Sequence, residues 1–216
     1  MPYPPRATNL SYKIFNDGKL QLTESVPSSN FLGQVTLLDL DNNLSPEIVV
    51  KTFSGGSHCC TTLRLYAANT GAYTKAVTLE GLDGRGGEFK DLDGNGSWEF
   101  VSSDNAFLYA FSGYAQSFPP SKIFAWSNGK FTDVTRRYPK ELRSRAWQMF
   151  QTLEEIQKGG TGLSNHGLLA GYVAQKILLG EHEAGWKIML SRYNPNDPPK
   201  DFPTVLKTFL VRQGYL

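Results

Sequence analysis

Two stretches, 90-KDLDGNGSWEFV-101 and 38-LDLDNNLSPEIVV-50, decide how this chain is read. Asp39-x-Asp41-x-Asn43-x-Ser45-x-Glu47 recurs as Asp91-x-Asp93-x-Asn95-x-Ser97-x-Glu99, an offset of 52 residues (91 minus 39). In both copies an apolar residue precedes the first Asp by at most two positions, and a strand-like apolar run follows the Glu. Side chains at alternate positions of a tightly curling loop converge on one point. Each copy then supplies two Asp carboxylates, an Asn carbonyl, the backbone carbonyl of Ser45 or Ser97, and the carboxylate of Glu47 or Glu99.

These are hard oxygen ligands, and Ca²⁺ accepts six to eight of them in flexible geometry where Mg²⁺ demands an octahedron. Neither loop holds His or Cys, which disfavours softer metals. Two carboxylates ~4 Å apart repel by about 4 kcal/mol at an effective dielectric near ~20, so three converging acids call for a cation or for protons. Gly94 and Gly96 give the second loop a permissive backbone. The first has Asn42 and Leu44 there and Pro46 after them, and reads as the weaker site. An EF-hand is excluded, because its twelfth-position Glu would fall on Val50 or Ser102. The competing reading is a solvated Asp/Asn/Gly turn without an ion.

Outward from the loops, residues 9 to about 135 read as β. Strand candidates are 12–15, 20–22, 35–38, 48–53, 61–66, 76–79, 100–102, 107–111, 123–126 and 131–134. Asn16-Asp17-Gly18 and Asn128-Gly129 mark hairpins. Short strands at this spacing suggest a sandwich, a barrel or propeller-like sheets, and a period near 50 residues has the scale of a propeller blade. Near Tyr138-Pro139 the pattern becomes helical, with Leu142, Ala146, Met149, Phe150, Leu153 and Ile156 at helix spacing as far as Gly159-Gly160. A second helix follows Ser164-Asn165 and stops at Gly180, a third covers 183–193, and a fourth runs from Asp201 to Gly214 with Pro203 in its first turn. The expectation is an α+β chain: a β-rich region over 1–137 with propeller-like repeats, and an α-helical region over 138–216.

The acid at the ninth position resembles the loops of FG-GAP and VCBS repeats, as in the integrin alpha-subunit propeller. With 54-SGGSHCC-60, 103-SDNAF-107 and 131-FTDVT-135, the likeness extends over about residues 35–215. It is to secreted bacterial proteins with FG-GAP-like loops, an α-helical C-terminal segment and no assigned function. That resemblance implies a calcium-stabilised, exported protein and supplies no catalytic residue.

Cys59 and Cys60 are adjacent and are the only two cysteines. Three readings stand: two reduced thiols on opposite faces of a strand, a vicinal disulfide, or a thiolate activated by His58. Consecutive Cα atoms lie ~3.8 Å apart, short of the usual disulfide range, so a vicinal bond forms a strained ring. Such a bond implies an oxidising compartment. His58, His166 and His182 lack metalloprotease spacing, and capping or solvent exposure is expected of His166 and His182. No nucleophile elbow, phosphate-binding Gly-x4-Gly-Lys or dinucleotide fingerprint is found, and the glycines of 81–87 read as a turn. Asp104 is either a site residue or the cap of a turn. Tyr109, Tyr114, Phe118 and Trp126 either line a carbohydrate groove or pack across strands.

With 22 Lys+Arg against 20 Asp+Glu, there is no electrostatic case for nucleic acid. No apolar run approaches the ~18 residues of a membrane span. The start, 1-MPYPPRATNLSY-12, lacks the apolar centre of a secretory signal. A native Met1 therefore means a cytoplasmic protein, while the resemblance implies an extracellular or periplasmic one. The expected role is a calcium-stabilised binding or structural protein with a protein or carbohydrate ligand. The alternative is a hydrolase or thiol-dependent enzyme using His58, Cys59 and Cys60.

Overall fold

A computed structural model describes residues 8–28, 33–55, 59–69, 71–159 and 164–216. The chain divides into two compact units. One holds residues 1–102 and 124–133, the other 103–123 and 134–216.

The first unit is built from antiparallel strands. A hairpin pairs β1 (Thr8–Asn16) with β2 (Lys19–Ser28). A four-stranded sheet follows in the order β3 (Gly33–Leu38), β4 (Glu47–Phe53), β5 (Cys59–Asn69), β6 (Ala72–Asp83). A second four-stranded sheet runs β7 (Glu88–Lys90), β8 (Glu99–Ser103), β9 (Ser121–Ser127), β10 (Lys130–Asp133). Both sheets add strands in chain order, and each opens with a hairpin whose connection is one of the acidic loops. The 52-residue repeat is thus a repeat of supersecondary structure. Among the described residues both sheets are open, and no barrel or propeller ring closes.

Turn chemistry sets the hairpins as read. Asp17 and Gly18 have φ of 48° and 72°, and Asn128 and Gly129 of 52° and 77°, the positive pair a two-residue type I′ turn needs. β4 reads Ile-Val-Val because both of its faces are covered. Val49 joins Leu40, Leu63, Leu65, Phe100 and Trp126 in one core cluster. Ile48 and Val50 join Ile14 and Tyr66 in a second.

The second unit packs α1 (Pro139–Gly159), α2 (His166–Leu178), α3 (His182–Arg192) and α4 (Phe202–Arg212). The central helix is α2, buried at eleven of its 13 residues. A Cβ on Gly171 would lie 1.7 Å from the Phe118 carbonyl oxygen, so the 108–119 segment approaches α2 on backbone alone. Gln175 is fully buried and fully used: it accepts from Ser121 N–H at 2.8 Å and donates to the Leu142 carbonyl at 3.0 Å and Ser121 Oγ at 3.2 Å. The expected strand over 107–111 does not form. Asn105–Phe107 is a 3-10 turn, and Phe107 packs edge-on against Phe209 and Tyr215. Its aromatic run serves helix packing, which strand periodicity imitates.

Candidate metal centre

The two acidic loops share four hydrogen bonds, and the second adds Gly94 N–H to Asp91 Oδ1 at 2.7 Å and Asn95 N–H to Asp93 Oδ1 at 3.3 Å. Asp39 Oδ1 accepts from Asn43 N–H at 2.9 Å and Oδ2 from Leu44 N–H at 2.8 Å. Asp91 Oδ1 accepts from Asn95 N–H at 3.1 Å and Oδ2 from Gly96 N–H at 2.9 Å. Asn43 Oδ1 accepts from Ser45 N–H at 2.8 Å, and Asn95 Oδ1 from Ser97 N–H at 2.7 Å. Glu47 Oε2 accepts from Leu40 N–H at 3.0 Å, and Glu99 Oε2 from Leu92 N–H at 3.1 Å. The sequence spacing therefore encodes one loop conformation twice. The first Asp and the Asn organise the curl, and the Glu, first residue of β4 or β8, pins the loop's start to the strand.

This curl brings the acids together. Asp39, Asp41 and Glu47 each present a carboxylate oxygen within 4.8 Å of the others, and so do Asp91, Asp93 and Glu99. Glu47 and Glu99 are both buried, at 3% exposure. Either cluster can hold a metal ion, and the donor set of oxygens alone fits a hard divalent cation. The fit is sharpest in the first loop. Asp41 Oδ1 is buried and has no hydrogen-bond partner among the described residues, and buried polar atoms left unpaired are uncommon and costly.

The electrostatics of the first loop agree. Burial raises the Asp41 carboxyl above its usual range, and the negative charge of Asp39 adds to it. Glu47 is also raised, chiefly by burial; the Leu40 N–H and the Trp126 side chain partly offset this, and Asp41 adds to it. In the second loop Asp91 is lowered instead, led by the Gly96 N–H and opposed by a smaller desolvation effect.

Sequence reading missed the partners around the loops. The Asn42 amide donates to the Asn95 carbonyl at 3.4 Å, and Trp98 N–H donates to the Leu40 carbonyl at 2.9 Å, so the two loops are neighbours. Trp126 is no groove aromatic. It is 4% exposed in the core and touches Glu47. Phe118 packs on the helical core, and of the four only Tyr109 is exposed, its ring centroid 5.7 Å from that of the half-buried Tyr114. No signal in one sequence assigns such contacts.

The remaining candidates resolve as follows. Asp104 is a cap: Oδ1 accepts from Ala106 N–H at 3.1 Å, and Oδ2 from Tyr215 O–H at 3.0 Å. His166 is not an exposed or capping side chain. It is fully buried, stacked on Phe202 at 4.1 Å, with Nδ1 3.2 Å from the Pro198 carbonyl. His182 is exposed as expected. His58 and the Cys59 side chain lie outside the described residues, and Cys60 is not a free thiol. Of the glycines of 81–87, Gly84, Gly86 and Gly87 shape the turn between β6 and β7, at φ of 49°, 76° and 94°, while Gly81 lies within β6.

Comparison with known proteins points to the helical end of the chain. Residues 142–214, from the first turns of α1 through α4, match the family described as the sll0997 C-terminal domain. The chain is similar to a probable thylakoid lumen protein. That protein, sll0997 of Synechocystis sp., is 33% identical over 206 residues, covering 85% of this chain and 60% of its own length. An uncharacterized protein, y4bJ of Sinorhizobium fredii, is 29% identical over 235 residues, covering 92% of this chain and 36% of its own. The chain thus spans less than two thirds of the length of these curated relatives. No solved structure matches. Both relatives align across most of the chain, whereas the family match lies wholly outside the acidic loops. Among the described residues no helix is long and apolar enough to cross a membrane.

Proposed function

We propose that this protein is an exported binding or structural protein in which the two acidic loops each hold a calcium ion. The observation that carries this reading is Asp41 Oδ1, a buried carboxylate oxygen with no hydrogen-bond partner among the described residues, beside two further acids. Asp39, Asp41, Asn43, the Ser45 carbonyl and Glu47 would form one shell. Asp91, Asp93, Asn95, the Ser97 carbonyl and Glu99 would form the other. Bound there, the ion neutralises the acids and ties the two ends of each opening hairpin, so folding is coupled to the calcium level outside the cell. Three carboxylates per site suit the ~10⁻⁴–10⁻³ M affinity class of extracellular modules. The repeated sheet with its loop in the first hairpin supports the likeness to FG-GAP blades, and the description of the Synechocystis relative as a lumen protein supports export.

The same setting supports a vicinal disulfide between Cys59 and Cys60, since Cys60 is not a free thiol and exported compartments are oxidising. Thiol titration of the denatured, unreduced chain should find no free thiol; two free thiols reject the bond. For the ions, calorimetric melting with calcium and with chelator is the test. A ligand at ten times its Kd stabilises the native state by about 1.4 kcal/mol per site, so the midpoint should fall by several degrees on chelation. An unchanged midpoint rejects the stabilising role.

A further inference from the structure

The strand that carries the first loop's Glu also carries a cation where its neighbours are apolar. The register pairs Val49 with Leu65, Lys51 with Leu63 and Gln34, and Phe53 with Thr61. Opposed residues share a sheet face and alternate residues continue it. Lys51 therefore lies on the face that forms the Val49–Leu63–Leu65 core, at the point where that core ends. Beyond it opens a cavity of about 520 Å³, lined chiefly by Gln34, Lys51, Thr52, Phe53, Thr61 and Arg85. This is within the ~300–1,000 Å³ of small-molecule sites.

Lys51 is not accounted for by an ion pair. Among the described residues its ammonium has one hydrogen-bond partner, the Gly87 carbonyl at 2.9 Å. Burial pulls its pKa down; Glu88 opposes the shift and Arg85 adds to it. Glu88 is itself paired with Lys90 at 2.6 Å. Arg85 has no ion pair among the described residues and rides on a turn that is fixed in place. A Cβ on Gly86 would meet Thr61 Cγ2 at 2.5 Å, and one on Gly87 would meet the Val101 carbonyl at 2.6 Å. The turn is thus pressed onto the sheet and holds a second cation at the mouth of the cavity.

We propose that this cavity binds a small organic monoanion, a carboxylate on an apolar body, with Lys51 and Arg85 taking the carboxylate and Phe53 packing against the body. Lys51 is half-buried; a cation partly withdrawn from water bears a desolvation cost that an opposite charge offsets, and a carboxylate supplies that charge. A heavily hydrated dianion is disfavoured, because the cavity offers two cations against a mainly apolar wall rather than a nest of backbone N–H groups.

Octanoate, titrated into the isotopically labelled whole chain in calcium buffer and followed by amide NMR, tests this. Saturable shifts are expected at Lys51, Phe53, Thr61 and Arg85, with octanol binding at least about tenfold more weakly. Lys51→Met should abolish the preference for octanoate over octanol. Arg85→Ala, at an exposed turn position that cannot disturb the core, should weaken octanoate about fivefold and keeps the test decisive if Lys51→Met does not fold. Absence of saturable shifts around the cavity, equal binding of octanol, or equal binding of inorganic phosphate would each overturn the assignment.

Discussion

The two acidic loops share four side-chain-to-backbone hydrogen bonds on different backbones, and the difference separates what shapes the loop from what the loop needs. In the second, Gly94 and Gly96 sit at φ of 76° and 87°; in the first, Asn42 and Leu44 adopt 58° and 67° at the same places. Leu44 is 90% exposed, so no packing holds it there. An L-residue in the left-handed region costs roughly 1–2 kcal/mol. The Asp39 carboxylate, accepting from Asn43 and Leu44, imposes the curl against that cost. Side-chain acceptors, more than glycine, dictate this conformation. The environments differ as well. In the first loop burial makes Asp41 and Glu47 resist ionisation, while in the second backbone donors hold Asp91 ionised. Sequence alone ranks the first loop as the weaker site because it lacks glycine. On the calcium reading proposed above, its buried oxygen, unpartnered among the described residues, makes it the loop that depends more on a cation.

The largest effect should come from the pinning glutamates. Glu47→Ala leaves the Leu40 N–H unsatisfied beside a fully buried Leu40, and should cost about 1–3 kcal/mol in chemical denaturation. Glu99→Ala should cost a similar amount, because the pin is common to both loops; a tenfold disparity in the two losses would break the congruence. Exchange of the backbone residues comes next, with opposite signs. Gly96→Ala forces a Cβ to 2.8 Å from the Asn42 amide at positive φ and should destabilise by about 1–2 kcal/mol. Leu44→Gly relieves strain at an exposed site and should stabilise by up to about 1 kcal/mol in the same assay. A loss there would mean that Leu44 has a partner in solution.

The pH response of the chelated protein distinguishes the loops further. Asp41 and Glu47 are raised in the folded state, so their contribution to stability is fully present below the ordinary carboxylate range near pH ~4 and fades as pH rises through their folded values. Asp91 is lowered, so its contribution is present above that range and is lost as pH falls through its folded value. On acidification from neutrality, amide protection factors, taken relative to the intrinsic exchange rate at each pH, should rise at Asn43 and Leu44 and, further down, fall at Asn95 and Gly96. The same direction of change in both loops would contradict the contrast. The smallest effect belongs to Asn42→Gly. It trades a long, exposed hydrogen bond for backbone freedom and should alter stability by no more than about 0.5 kcal/mol.

Much of the architecture was legible because local chemistry and fold agreed. Asp17-Gly18 and Asn128-Gly129 name their turns, Ile48-Val49-Val50 reads as a strand buried on both faces, and the α1 apolar stripe emerges as the buried face Leu142, Ala146, Met149 and Leu153. The failures have one physical origin, partners distant in sequence. Phe107 looks like strand because its helical contacts, Phe209 and Tyr215, lie a hundred residues on. His166 looks polar and capping until Phe202 stacks on it. In the candidate site the acids that converge were visible from spacing alone. The Trp126 contact to Glu47 and the Asn42 bridge to the second loop were not, since each depends on how the strands assemble.

Calcium titration of the chelator-stripped chain by isothermal calorimetry bears most directly on the central claim. Two binding events per chain are expected, with Asp41→Asn removing one and Asp93→Asn the other while the protein stays folded. A stripped, folded chain that takes up no calcium at millimolar concentration would contradict it.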